Sequence, residues 1–343
     1  MSAEYAKDQP AGFTNRIERV AIVGAGGSIG KHLTAALLAA GKFTLTAITR
    51  PTSTNTIPEG IQIARVDYSS ADENDKTALV ETLRNQDALI ITMNVLAPPD
   101  TILSLVRAAA DAGVRYILPN WYGHDAANDA LCADSMLTAN RDRVVAEIAS
   151  LGESAYVFLV CNFWYEFSLG GGPDRFGFDF AQRKFLQFDE GDVAINTTTW
   201  PQCGRAVAAL LSLKILPDDE NDSEATLARY TNGCVYVSSF RLTQGEMFES
   251  VKRVTGTTDE DWTITRGSVR DRFLEGQEGL KVHNWKVFTK MLYSRMFFAN
   301  GDGDYESRRE LDNAVLGLPV EDLDEATREG IRMGLSGEVP FSH

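Results

Sequence analysis

Short, unbroken apolar runs alternate along the first half of the chain with stretches in which apolar residues return every three or four positions. Residues 20–23, 44–49, 61–66, 88–93, 116–118 and 156–160 have the length and composition of buried strands. Helical spacing fills 28–40, stopped by Gly41, and 76–84. A third helix opens at Pro98 and Pro99, which a first turn tolerates, and ends at Gly113; a fourth covers 135–151 and ends at Gly152. Strands alternating with helices at this period imply an α/β chain: a Rossmann-type, doubly wound parallel sheet with right-handed crossovers. Residues 119–134 read as a long loop. After 165 the alternation fades into glycines at 170–172, an aromatic-rich stretch at 176–188, an acidic linker at 216–224 and helical segments at 245–255 and 285–298. This predicts a smaller C-terminal lobe packed over the C-terminal edge of the sheet.

The first strand runs directly into Gly24-Ala25-Gly26-Gly27-Ser28-Ile29-Gly30 and then into a helix. Strand, glycine turn and helix in this order open a dinucleotide-binding unit. Gly24 allows the tight turn, Gly26 and Gly27 let the backbone approach a pyrophosphate, and Gly30 lets helix and strand pack closely. Ser28, Ile29 and Gly30 offer the free N–H groups of a helix N-terminus to the phosphates. At the end of the second strand stands Arg50, with no acidic residue until Glu59. An acid there suits a ribose hydroxyl, whereas a guanidinium suits a 2′-phosphate, so the expected cofactor is NADPH. Asp67, Asn94, Pro119 and Asn162 follow the third to sixth strands and are expected along the same edge. The chain accordingly divides into a flexible tail over 1–17, an NAD(P)-binding Rossmann domain over 18–165 and a substrate-binding lobe over 166–343, with some segments returning to the sheet.

A formal net charge of −15 disfavours nucleic acid and anionic membrane as partners. Four widely spaced cysteines form neither a zinc pattern nor a disulfide framework, and the four histidines lie apart, so no metal is expected. No signal peptide or membrane-length apolar run is evident, which points to a cytoplasmic protein. A homodimer is left open.

The segments at 24–31, Arg50, 110–119, 199–213 and 238–246 together resemble the NmrA-like and isoflavone-reductase-like atypical short-chain dehydrogenases, with fungal members, many serving secondary metabolism, as the nearest flavour. The resemblance covers roughly residues 18–315. It implies an NADPH-binding Rossmann domain and, in the reductase branch, a small phenolic substrate; a regulator branch binds dinucleotide without turnover. Reductase members carry a Pro-Ser-Glu-Phe-Gly-like segment where this chain has Pro119-Asn120-Trp121-Tyr122-Gly123. Where they hold a catalytic lysine, alignment places Arg141, which can hold an anion but cannot shuttle a proton. No Tyr-x-x-x-Lys pair occurs.

Tyr122 and His124 therefore stand as proton-donor candidates beside Arg141, the alternatives being a packing tyrosine, a surface-loop histidine and a helix-surface arginine paired with an acid. Trp121, Phe163 and Trp164 are expected to touch a flat apolar substrate, the alternative for the aromatics being core packing. The expected activity is NADPH-dependent reduction of a small aromatic or conjugated substrate. A non-catalytic dinucleotide-sensing regulator and a non-redox isomerase or cyclase on the same scaffold remain open.

Overall fold

The computed structural model describes residues 4–94 and 97–339. Its first half runs β1 (Arg19–Val23), α1 (Gly30–Ala40), β2 (Thr44–Thr49), β3 (Gln62–Arg65), α2 (Glu73–Leu83), β4 (Ala88–Ile91), α3 (Pro99–Asp111), β5 (Tyr116–Leu118), β6 (Tyr122–Gly123), α4 (Asp129–Asp134), α5 (Thr138–Leu151) and β7 (Ala155–Val160). The remainder adds β8 (Phe163–Trp164), α6 (Tyr165–Leu169), β9 (Phe178–Asp179), β10 (Lys184–Phe188), β11 (Ala194–Thr198), α7 (Trp200–Leu211), β12 (Gly233–Tyr236) and β13 (Phe240–Thr243). Then follow α8 (Gln244–Thr255), β14 (Thr263–Gly267), α9 (Val269–Lys281), α10 (Phe288–Met296) and α11 (Leu323–Ser336).

The main sheet has eight strands in the order β12-β7-β5-β4-β1-β2-β3, with β6 beside β7, all paired in parallel. Alternation within β1 builds both faces. Val20 and Ile22 meet Leu33 and Leu37 of α1 and Val207 and Leu210 of α7, while Ala21 and Val23 meet Leu79, Leu105 and Ile148 of α2, α3 and α5. Each large apolar side chain so buried contributes roughly 1.5–3 kcal/mol. The layered, mostly parallel architecture is a Rossmann-like α/β fold. Among the described residues no helix is long and apolar enough to cross a membrane.

The later chain makes two three-stranded sheets, β14-β10-β9 and β13-β11-β8. Phe176, Phe178, Phe185 and Phe188 fill the core between them with Met247, Phe248 and Trp262. Yet β12 extends the main sheet and α7 lies on α1, so the chain crosses back after residue 165 and the two parts share walls.

Two expectations are corrected here. The N-terminal segment is docked: Ala6 N–H donates to the Pro217 carbonyl (2.8 Å), Asn15 Nδ2 donates to that of Leu216 (2.9 Å), and Ile17 is buried. The segment at 216–218 leaves carbonyls that these donors satisfy. Residues 1–3 of the expected tail, like His343, lie outside the described residues. The presumed loop 119–134 contains β6 and α4, whose start is capped by Asn128 accepting from Leu131 N–H (3.0 Å).

Candidate functional site

The glycine turn joins β1 to α1 at the C-terminal edge of the sheet. Gly24 has φ 84°, a left-handed conformation that glycine adopts at no steric cost. A Cβ on Gly30 would collide with the Gly24 carbonyl oxygen and approach Thr92 Oγ1, so the first turn of α1 sits directly on the turn. Thr92, just after β4, is the buttress: its Oγ1 donates to the Val23 carbonyl (2.9 Å), and its own carbonyl occupies the space a Cβ on Gly24 would need. Sequence reading passed over Thr92; a hydroxyl at the end of an otherwise apolar strand was its signal.

Gly26 differs from its expected role. A Cβ there would strike the Thr56 carbonyl, because the segment after Arg50 doubles back over the turn, so this glycine makes room for chain rather than phosphate. Gly27 is the open one: a Cβ would meet only the Gly24 carbonyl oxygen, at 3.1 Å. Beyond it, the N–H groups of Ser28, Ile29 and Gly30 have no carbonyl partner among the described residues. Helices α2, α4, α7, α8, α9 and α11 carry side-chain caps from Asp72, Asn128, Thr199, Thr243, Ser268 and Asp322. The N-cap of α1 is Ile29, which supplies none, as is also true of α3, α5, α6 and α10; what sets α1 apart is the open glycine that precedes it. An uncapped N-terminus beside an open glycine is a ready oxyanion cradle, so the residues present fit a pyrophosphate.

Arg50, exposed at the end of β2, lies beside Asp67 and Tyr68. Hydrogen bonds from Ser69 to Asp67 Oδ1 (2.6 Å from its hydroxyl, 3.0 Å from its N–H), with Arg50 adding, hold that carboxyl below the usual range. Asp67 is thus engaged with its own turn. At the end of β5, Pro119 is buried, and Asn120 Oδ1 accepts from Met93 N–H (2.9 Å), tying the ends of β4 and β5 together. Asn94, on the same edge, is exposed.

The residues expected to carry chemistry are buried or engaged by the protein. The Tyr122 hydroxyl is buried without a hydrogen-bond partner among the described residues, and burial, with Cys161 and Cys203 adding, drives its pKa far above the usual value. His124 is also buried, neither a surface-loop residue nor a neutral-pH acid. The Ser135 hydroxyl donates to the Cys132 carbonyl (3.0 Å) and so accepts from His124 Nε2–H (2.8 Å). Burial lowers the imidazole to about 4, so it is neutral at pH 7.

Arg141, in the first turn of α5, ion-pairs with Asp129 (2.9 Å) and Asp142 (2.8 Å) and donates to the Ala126 carbonyl (2.6 Å). Burial opposes its charge, but the hydrogen bonds to Asp142 and Asp129 outweigh that and hold its pKa above the usual value. The guanidinium fastens the 119–134 segment to α5.

The aromatic candidates are also largely structural. Trp121 donates Nε1–H to the His124 carbonyl (2.8 Å) and packs on Phe158. Phe163 stacks on Tyr293 with ring centroids 3.7 Å apart, inside the lobe core. Trp164, half-buried, leans on Trp200. Asn162, with φ 50° and almost wholly buried, donates Nδ2–H to the Gly303 carbonyl (3.1 Å), leaving its Oδ1 without a partner among the described residues.

Residues 17–169 match the NmrA-like family. Oxidoreductase aprR of Aspergillus flavus is 26% identical over 313 residues, spanning 90% of this chain and 96% of that protein. Among solved structures, an isoflavone reductase superposes with TM-score 0.67 at 20% identity, covering 91% of this chain and 99% of its own. AtPrR2 with NADP+ and (+)pinoresinol gives 0.70 at 19% identity, covering 92% and 99%. The two structures share this chain's fold.

Proposed function

We propose that this chain, NmrA-like in residues 17–169, is an NADPH-dependent reductase of a small aromatic or conjugated metabolite. One observation carries the reading: α1 opens on an accessible glycine and three N–H groups without a carbonyl partner among the described residues, with Arg50 exposed at the end of the neighbouring strand. Gly27 and the N–H groups of Ser28, Ile29 and Gly30 would hold the pyrophosphate, and Arg50 the 2′-phosphate. Gly24, Gly30 and Thr92 keep the cradle in shape. The bound cofactor supplies a hydride. Relatives and neighbours point the same way, since aprR is named an oxidoreductase and AtPrR2 is solved with NADP+ and pinoresinol, an aromatic molecule.

Proton delivery does not fall to Arg141, which is engaged with two carboxylates, or to neutral His124, and the Tyr122 hydroxyl, although it keeps its proton, is enclosed. A proton would come from solvent or from the substrate's own hydroxyl. This same saturation of side chains favours the second reading, a dinucleotide-binding regulator without turnover. Calorimetric titration with NADPH and NADH, followed by NADPH oxidation against phenolic ketones and enones, separates the two. Tight NADPH binding with turnover supports the reductase; tight binding with no turnover supports the regulator. Equal affinity for NADPH and NADH would remove the assignment of Arg50.

A further inference from the structure

A cavity of about 290 Å³ opens between the 125–129 segment and residues 302–309. Its walls carry Asp125, Asn128, Asp129, Asp302, Arg308 and Arg309, a polar lining unlike anything expected for a flat apolar substrate. Counting donors and acceptors decides what it can take. Asp302 is saturated: one oxygen accepts from Arg308 (3.2 Å) and Asn128 (3.0 Å), the other from Arg295 (2.6 Å) and Asn300 (2.8 Å). Asp125 Oδ1 accepts from Ala127 N–H (2.9 Å) and the Tyr236 hydroxyl (2.8 Å), and its other oxygen faces Arg309 at 3.4 Å. Asp129 is paired with Arg141.

The arginines are not exhausted. Arg308 Nε, and Nε and Nη1 of Arg309, have no hydrogen-bond partner among the described residues, and both side chains remain half-exposed. The Arg309 guanidinium sits over the Tyr236 ring, its central carbon 4.1 Å from the ring centroid, a contact that consumes none of its donors. Behind the wall, Arg295, buried, balances Asp134 and Asp302. Each carboxylate is thus paired, Asp302 and Asp125 in part by Arg308 and Arg309 themselves, and the hydrogen-bond capacity the two guanidinium groups leave unfilled is donor capacity. We propose that this cavity binds the carboxylate or phosphate group of a small anionic metabolite between Arg308 and Arg309. The volume is at the lower end of small-molecule sites, which limits the ligand to a compact one. The site is independent of the dinucleotide cradle and does not rest on the reductase reading.

The experiment is calorimetric titration of the full chain with inorganic phosphate and with citrate, at constant ionic strength, with and without saturating NADP+. Saturable binding of at least one probe is expected, undiminished by NADP+ and weakened at least tenfold in the Arg308→Gln/Arg309→Gln double variant. A phosphate-only or citrate-only response assigns the source of the oxyanion. Binding that NADP+ displaces would place the anion at the glycine turn and overturn the proposal, as would equal affinity in the double variant or no saturable binding at all. Should the double variant fail to fold, Arg309→Gln alone is expected to weaken binding several-fold and Asp129→Asn to tighten it. Unchanged affinity in both would equally overturn the site.

Discussion

The start of α1 and the segment from 119 to 134 both lie at the C-terminal edge of one sheet, and they are finished in opposite ways. At α1 the chain leaves a helix end uncapped, a glycine open and three N–H groups without a carbonyl partner among the described residues. In and beside the 119–134 segment most candidate side chains are engaged, Trp121 with a carbonyl, His124 with Ser135 and Arg141 of α5 with two carboxylates, while the Tyr122 hydroxyl is buried without a partner among the described residues. Polar groups left free at an open helix end can take a ligand, whereas the Tyr122 hydroxyl, the group left without a partner in the second region, is enclosed within the fold. The comparison assigns the first region to ligand and the second to holding the fold.

Breaking the first region gives the largest effects. Gly30→Val drives a Cβ into the Gly24 carbonyl, so it is expected to lower unfolding free energy by about 3 kcal/mol or more and to abolish cofactor binding. Gly27→Val separates the two functions of the turn. It is expected to cost more than a hundredfold in NADPH affinity, read by calorimetry, with a smaller loss of thermal midpoint than Gly30→Val, since the added Cβ meets the Gly24 carbonyl oxygen at 3.1 Å rather than colliding with it. Unaltered affinity would place the phosphates elsewhere. Arg50→Ala follows, with an expected loss of about 1.5–3 kcal/mol in NADPH binding and little change for NADH.

The second region answers in stability. His124 is lowered to about 4 by burial, whereas an unfolded histidine titrates near 6.5. Its contribution is therefore fully present above about pH 6.5 and is lost as pH falls through about 4. Denaturant melts at pH 7 and pH 5 are expected to differ by about 1–2 kcal/mol less in His124→Gln than in the parent. His32, held near 4 by burial with Lys31 adding, contributes with the same sign and stays in both proteins. An equal pH difference in parent and variant would show that His124 is not neutral in the fold. Smallest of all, Arg141→Met is expected to leave turnover within about twofold and to lower stability by about 1 kcal/mol. A loss of turnover well beyond that would return Arg141 to the chemistry.

What could be seen in the residues follows the same division. The central strands β1, β4 and β5 are apolar runs, and the glycine turn acts through backbone, so 44–49 and 116–118 coincide with β2 and β5 and the Gly24 and Gly30 constraints are visible in the turn itself. Side-chain availability is different, because it depends on partners far along the chain. Of Arg141's two carboxylate partners, Asp142 is its neighbour in sequence, but Asp129 is brought beside it by α4, which is too short for periodicity to reveal. Phe163 looked like a ligand contact because its partner, Tyr293, is supplied from 130 positions later. Gly26 answers to Thr56, on a loop whose path no local pattern dictates.

Amide hydrogen exchange with and without NADPH tests this division most directly, since it reads both regions in one protein. Protection is expected at Ser28, Ile29 and Gly30, where the N–H groups gain phosphate partners, while residues 124–134 exchange at unchanged rates. Protection confined to 124–134, with residues 28–30 unaffected, would contradict the assignment of the cofactor to the open end of α1.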